Sequence, residues 1–415
     1  MTSELLPTSE AGRRFVELAE KHAADFAVRA ERYDREGAFP FENFEDMRKS
    51  GFLAGVVPRG HGGVGVDSLY DLMVGMSRLA RGDASTAIAA NMHIGGTNNI
   101  LRFQRRAEQA GDQPMVALVD SLLRQVASGE ILMSFPNSEA GTDLTSPLTE
   151  ATAVAGGYRV TGRKIFGTVS PAAHLFFPTV RLQNGGGGYM TATAMIPRNT
   201  PGLEIKGNWD ALGMRASGSN DIVFTNCFVP SNRLFGLRDN YGKVGRGFPD
   251  VALNVNAPLN ATFLGVAEAA HALAVKATAQ NKGPSRRMLR DRIPIQELVA
   301  EIEIDLSVAR AMTERLGRLA DAFQRRYACE EPPVDEANDI MKEVQCMKYV
   351  VTRKAVDIVD RAMTVCGGAA YMNKHPLTRL YRDARAGAFM QPYAPYEALE
   401  FIGKVALGLE ANLDR

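Results

Sequence analysis

The sequence predicts an α+β protein in three parts: a helical N-terminal domain over 1–130, a central antiparallel β-barrel over 131–232, and a C-terminal four-helix bundle over 233–415. Three observations lead there. Apolar residues recur at helical spacing up to about residue 130, short alternating runs with Gly turns then replace them, and long amphipathic stretches return after Pro230.

In the first part, Phe15, Leu18, His22 and Phe26 mark one face of a helix. "FPFENFEDMRKSG" reads as a second helix, opened at Pro40 and stopped at Gly51. After the Gly-rich turn "VVPRGHGGVGVDS", the run "LYDLMVGMSRLARGDASTAIAANMHIGG" reads as two more. In the second part, "ATAVAGGYRVTG" alternates on both sides of Gly156-Gly157, a hairpin signal. "HLFFPTVRLQNGGGGYMTATAMIP" repeats that arrangement, and "LEIKGNW" and "SNDIVFTNCFVP" add further short strands. In the third, Ile295, Leu298, Ile302, Leu306, Ala309, Leu316, Leu319 and Phe323 form one stripe. "ANDIMKEVQCMKYVVTRKAVDIVDRAMTVCGG" is another long helix, ended by Gly367-Gly368.

Composition narrows the function classes. The 415 residues carry a net charge of +1, with basic and acidic residues interspersed, so no nucleic-acid surface is expected. No apolar run approaches a membrane span and the N-terminus has no apolar signal region. The four cysteines and six histidines are scattered without metal-ligand spacing. A reduced, cytoplasmic protein without a metal site is the expectation.

Four segments stand out in order: "VVPRGHGGVGVDSLYD" with "LARGDASTAIAANMH", then "SEAGTDLTSPLTEATAVAGGYRVTGRKIFGTVS", then "NWDALGMRASGSNDIVFTNCFVP", then "VCGGAAYMNKHPLTRLYRDAR". Together they resemble the acyl-CoA dehydrogenase superfamily of flavoproteins. The resemblance implies a flavin, expected as FAD with FMN possible. Phe166 would pack on its ring and Thr168 would bond near N5, with the Ser134–Phe135 backbone and Thr142 on the other side. Thr364, Gly367 and Gly368 match the segment that in the family meets the dinucleotide of a neighbouring subunit, which implies a homotetramer built as a dimer of dimers. Arg286, beside Arg287, sits where the family places a phosphate-contacting Arg. From the residues alone, Phe135 and Phe166 read as barrel core, Gly367-Gly368 as a helix C-cap, Thr168 as a strand threonine, and the two arginines as a solvated basic turn.

Dehydrogenases of the family remove a proton with a glutamate placed soon after the Arg-Asp pair. Counting from Arg382-Asp383 puts Gln391 there; a two-residue insertion puts Tyr393 there instead. Some members carry the base on an earlier helix, which falls near Val255, and "LNVNAPLNATFLGVAEAA" has no acid before Glu268. A positioned general base contributes about 10²–10⁴-fold, and neither Gln nor an ordinary Tyr supplies one.

Another branch of the superfamily needs no such base. Its flavin monooxygenases, including amino-sugar nitrososynthases, use a C4a-hydroperoxyflavin, and "NWDALGMRASGS" and "RLYRDARAGAFMQPY" are similar to theirs. Phe389, Met390, Tyr393 and Tyr396 either line an apolar pocket or pack the bundle end; Ser170 and His174 are candidates for orienting peroxide or substrate. The favoured expectation is therefore a two-component monooxygenase acting on an amine or activated carbon of a small molecule, served by a separate flavin reductase. "FPNSEAGTD" keeps the dehydrogenase turn, so an acyl-thioester dehydrogenase with an unconventional base, Glu397, stays open, as does a non-catalytic flavin-binding protein.

Overall fold

The computed structural model describes residues 4–243, 245, 247–280 and 288–411. Six helices come first: α1 Glu10–Ala27, α2 Ala30–Glu36, α3 Phe41–Ser50, α4 Leu69–Ala80, α5 Ala84–Ala110 and α6 Gln113–Ala127. Ser9 caps α1, its hydroxyl accepting the Gly12 N–H at 2.9 Å. The α3 helix ends at Gly51, whose φ of 78° takes the left-handed turn a side chain resists. The α5 helix runs on past Gly95-Gly96, the pair that closes the motif in the sequence. A Cβ at Gly95 would meet the Asn254 carbonyl, and one at Gly96 would run into the Phe135 ring. Both glycines serve close packing inside a helix.

Ten strands follow: β1 Met133–Ser134, β2 Glu150–Val154, β3 Gly157–Gly167, β4 Leu175–Phe176, β5 Thr179–Gln183, β6 Tyr189–Ala194, β7 Ile196–Pro197, β8 Leu203–Ile205, β9 Asn220–Pro230 and β10 Leu234–Arg238. The β2–β3 hairpin turns at Gly156 (φ 79°), and β5 pairs with β6 in the second hairpin. The closed antiparallel barrel does not form. Seven strands make one open sheet in the order β10-β6-β5-β2-β3-β9-β8, and β1-β4-β7 make a second. The pairs β2–β5 and β1–β4 are parallel. Between them the sheets bury Val160, Phe176, Val180, Ile196, Ile222 and Phe224 in one core. Alternation tells which face a strand buries; it does not say which strands end up at the edges.

The third part holds α7 Phe248–Val251, a π turn at Ala252–Asn256, α8 Ala257–Thr278, α9 Ile293–Arg326, α10 Val334–Cys366, α11 Pro376–Ala386 and α12 Pro395–Ala406. Helix α8 is buried nearly all round, against α4, α9 and α10. Of the α9 stripe, Ile302, Leu306, Ala309 and Leu316 are buried, Ile295, Leu298 and Phe323 are half-buried, and Leu319 is exposed. Glu268, the first acid of the α8 segment, is held by Arg78, Arg81 and Arg310. That network welds α8 to α4 and α9 and keeps the carboxylate for structure.

Candidate functional site

The end of β3 builds one wall. Lys164 is fully buried and ion-paired with Glu139, whose carboxylate also accepts the Leu148 N–H at 2.8 Å. Burial works to raise the Glu139 pKa, but Lys164 and the Thr149 N–H hold it below the usual carboxylate range. The acid of "SEAGTD" thus staples the loop before β2. Beyond Lys164 the chain turns left-handed at Phe166 (φ 53°) and again at Val169 (φ 64°). Non-glycine residues adopt this backbone at a cost of about 1–3 kcal/mol, usually where a side chain must be aimed. Phe166 is aimed outward: its ring is largely exposed and meets Trp209 edge-on at 6.0 Å.

Hydroxyl groups line up below it. The Thr168 and Ser219 hydroxyls lie 2.9 Å apart, and Ser219 and Ser217 2.7 Å apart. Ser134, fully buried, donates to the Thr168 carbonyl at 2.9 Å. Phe135 stacks on Phe177 at 4.9 Å.

Two sequence motifs dock to make the next wall. Asp383 on α11 accepts the Met214 N–H at 2.6 Å, and Arg382 donates to the Leu212 carbonyl at 3.1 Å while ion-paired with Asp34. This holds "NWDALGMRASGS" against "RLYRDAR". Asp383 is fully buried; that burial, opposed by Arg379 and the Met214 N–H, pushes its pKa up to about 6.

The walls enclose a cavity of about 370 Å³, inside the range of small-molecule sites. Phe135, Phe166, Thr168 and Trp209 face it from the β-domain, Met92 and Gly96 from α5, and Val255, Asn256 and Leu259 from the π turn and α8. Phe389, Met390 and Gln391 close it from the loop after α11. Gln391 donates to the Ser138 hydroxyl, and buried Lys348 donates to the Met390 and Tyr393 carbonyls on either side of it. Among the described lining residues there is no carboxylate; the charged ones are Arg382 and Arg385. Arg385 lies 4.6 Å over the Phe389 ring.

Of the residues singled out in the sequence, Phe135, Phe166, Thr168 and Gln391 come together here, with Ser134 just behind. Thr142 stays in its own loop, donating to the Ser146 carbonyl at 2.6 Å. Ser170 is buried, donating to the Gly218 carbonyl at 2.9 Å. His174 lies on a separate groove with Arg198, its Nδ1 accepting the Leu132 N–H at 2.9 Å; partial burial and that arginine lower its pKa. Tyr393 is buried against Phe401, and Glu397 caps α12, accepting the Ala394 N–H at 2.8 Å. Thr364, Gly367 and Gly368 sit at the far end of α10, away from this cavity, where Thr364 donates to the Asp360 carbonyl at 3.2 Å. Arg286 lies outside the described residues. Trp209, Ser217, Ser219, Met92 and Asn256 were not singled out. Trp209, the single tryptophan, inside a quoted motif, was the one available signal.

An exposed aromatic ring held in a strained turn, beside a row of hydroxyls and facing an apolar wall, fits a flat heteroaromatic cofactor with hydrogen-bonding edges. Phe166 and Trp209 would meet the face of such a ring, and Thr168 and Ser219 its polar edge.

Comparisons with known proteins support a flavin cofactor. Residues 9–110, 133–227 and 245–391 match the N-terminal, middle and C-terminal domains of acyl-CoA dehydrogenase. The chain is 34% identical to the amino sugar nitrososynthase DnmZ of Streptomyces peucetius, covering 97% of this chain and 95% of that one. The structure of KijD3 in complex with FMN and dTDP-3-amino-2,3,6-trideoxy-4-keto-3-methyl-D-glucose superposes with a TM-score of 0.89 at 33% identity, covering 100% of this chain and 98% of that one. FMN-bound TdsC from Paenibacillus sp. A11-2 shares the fold, with a TM-score of 0.84 at 20% identity over 96% of this chain and 99% of that one. With all three of its parts matched in order, this chain belongs to the acyl-CoA dehydrogenase superfamily and is a flavin-dependent oxidoreductase, similar to the amino-sugar nitrososynthases.

Proposed function

We propose that the protein is a two-component flavin monooxygenase that oxygenates the amine nitrogen of a small molecule, with its flavin delivered in reduced form by a separate reductase. One observation carries this reading. Gln391 and Val255, at the two places where the family carries its base, line one cavity, and no carboxylate lines it among the described residues. Glu397, the alternative base, is committed to the α12 cap. Proton abstraction next to a thioester has no acceptor here, whereas oxygen transfer to an amine relies on the amine's own lone pair.

A reduced flavin, when bound, would supply the oxygen-activating chemistry. The chain's residues do the rest. Phe389, Met390, Val255 and Leu259 exclude water, which protects an oxygenating site from wasteful breakdown. Thr168 and Ser219 orient the ring edge, and Gln391, tethered to Ser138, offers a neutral amide where a dehydrogenase would offer a charge. FMN, present with KijD3, is the form to test first, with FAD second. The same neighbour's ligand makes a nucleotide-linked amino sugar the first substrate class. Arg382 is held by Asp34, so Arg385, lying over the Phe389 ring, is the lining cation that suits an anionic tail.

The decisive experiment is anaerobic reduction of the flavin-loaded protein followed by rapid mixing with oxygen. A persistent absorbance at roughly 370–390 nm, characteristic of a C4a-hydroperoxide, is the expected result. Immediate return to oxidised flavin, together with anaerobic bleaching by acyl-CoA thioesters, would establish a dehydrogenase instead.

A further inference from the structure

Polar contacts tie the segment from Phe248 to Asn256 to α5 and α9. Asp250 is ion-paired with Arg102 and Arg106. Asn91 donates to the Val255 carbonyl at 2.9 Å. Asn254 accepts from Asn98 at 3.0 Å and from Gln324 at 2.6 Å. Gly95 leaves room for α5 to lie directly on the Asn254 and Val255 backbone. A π turn gains nothing in backbone hydrogen bonding over a regular helix and recurs where a helix must re-aim a side chain into a site.

The residue re-aimed here is Asn256. It is 3% exposed, lines the cavity next to Val255, and its Nδ2 has no hydrogen-bond partner among the described residues. A buried amide left in this state is destabilising, because water is lost and nothing replaces it. Asn254 Nδ2, in the same turn, is also unpartnered among the described residues, but Asn256 is the one of the two that lines the cavity. It shares the cavity with Phe166, Thr168 and Trp209, and is contributed by the helical part of the lining.

We propose that Asn256 is a substrate-positioning residue whose side-chain amide donates to an uncharged oxygen, hydroxyl or carbonyl, of the amine-bearing substrate. This rests on the N-oxygenation reading above. The contact turns the substrate so that its nitrogen faces the flavin side, and it favours amines that carry a neighbouring oxygen over plain alkylamines. A site built to satisfy a buried donor discriminates against ligands that leave it unpaired.

The test uses Asn256→Leu, which keeps the shape and removes the amide, and Asn256→Asp, which keeps only acceptors. Without ligand, Asn256→Leu should melt about 1–3 °C above the parent, since an unused buried donor is removed. A lower melting temperature would show that the amide already serves the fold and would overturn the proposal. FMN affinity, followed by quenching of Trp209, should stay within about twofold of the parent; a large loss would reassign the amide to the cofactor. With FMN, a flavin reductase and dTDP-3-amino-2,3,6-trideoxy-4-keto-3-methyl-D-glucose as probe, kcat/KM should fall roughly tenfold in both variants, mostly through KM, as loss of about one net hydrogen bond predicts. Unchanged kcat/KM in the variants would sink this proposal alone. A parent that binds FMN but leaves the probe unoxidised would overturn the N-oxygenation reading and this inference together.

Discussion

At the scale of single residues, Gln391 and Tyr393 were equal candidates for one position, because the register after Arg382-Asp383 depends on how the loop folds. In the folded loop Gln391 lines the cavity, whereas Tyr393 is buried against Phe401. Asp383 shows the same limit. The Arg-Asp pair is visible as a motif, but its work is to hold Met214 across 169 positions of chain. This leads to a pH prediction. Its folded pKa of about 6 lies above the ordinary 3.8, so the native state binds the proton more tightly between those values. Stability from this group is present below about pH 4 and is lost as pH rises through 6, by about 3 kcal/mol for two pKa units. Asp383→Asn keeps an acceptor for Met214 and removes the titration. The melting temperatures of parent and variant should therefore diverge between pH 4 and 6 and run parallel above 6.5. A constant difference throughout would show that Asp383 does not titrate there.

At the scale of elements, the helices were legible where one face is buried and much less so where all faces are. Helix α1 and the α9 stripe follow the helical period, and α1 adds the Ser9 cap. Helix α8, apolar all round, carries little periodic signal, and the π turn before it leaves none. Gly is a poor helix former, and nothing local in the α5 sequence tells what Gly95 and Gly96 admit; only the packing shows it. Gly96→Val should therefore leave α5 helical but drive Phe135 out of its stack on Phe177 and into the cavity. Overpacking of this kind destabilises by about 1–3 kcal/mol. FMN should bind at least tenfold more weakly, read by flavin fluorescence during titration. Unaltered affinity would mean that Phe135 can move without touching the cofactor site.

At the scale of the whole molecule, the described chain encloses the ring-sized cavity but keeps Thr364, Gly367 and Gly368 away from it. The family resemblance makes that segment a contact to a neighbouring subunit's dinucleotide, which gives two linked predictions. Light scattering after gel filtration should show a particle of four 45.0 kDa chains; a monomer would count against the subunit arrangement. Within one chain a Cβ at Gly368 meets no heavy atom within 4 Å. Gly368→Glu should accordingly leave the melting temperature of the apoprotein nearly unchanged while weakening FAD binding through charge repulsion across the interface. Full FAD affinity in that variant would remove the segment from the cofactor site.

By itself the sequence determined the three-part order of helices, strands and helices, the superfamily, and the absence of a glutamate at either customary position. Each of those is local or ordinal, carried by period, turn residues and motif order. Tertiary structure alone decided that the sheets stay open, that Val255 and Gln391 meet on one cavity, that Glu139, Glu268 and Glu397 are used up in ion pairs and a cap, and that Asn256 is left over. These depend on which distant surfaces come into contact, and burial with its hydrogen-bond partners is set only when they do.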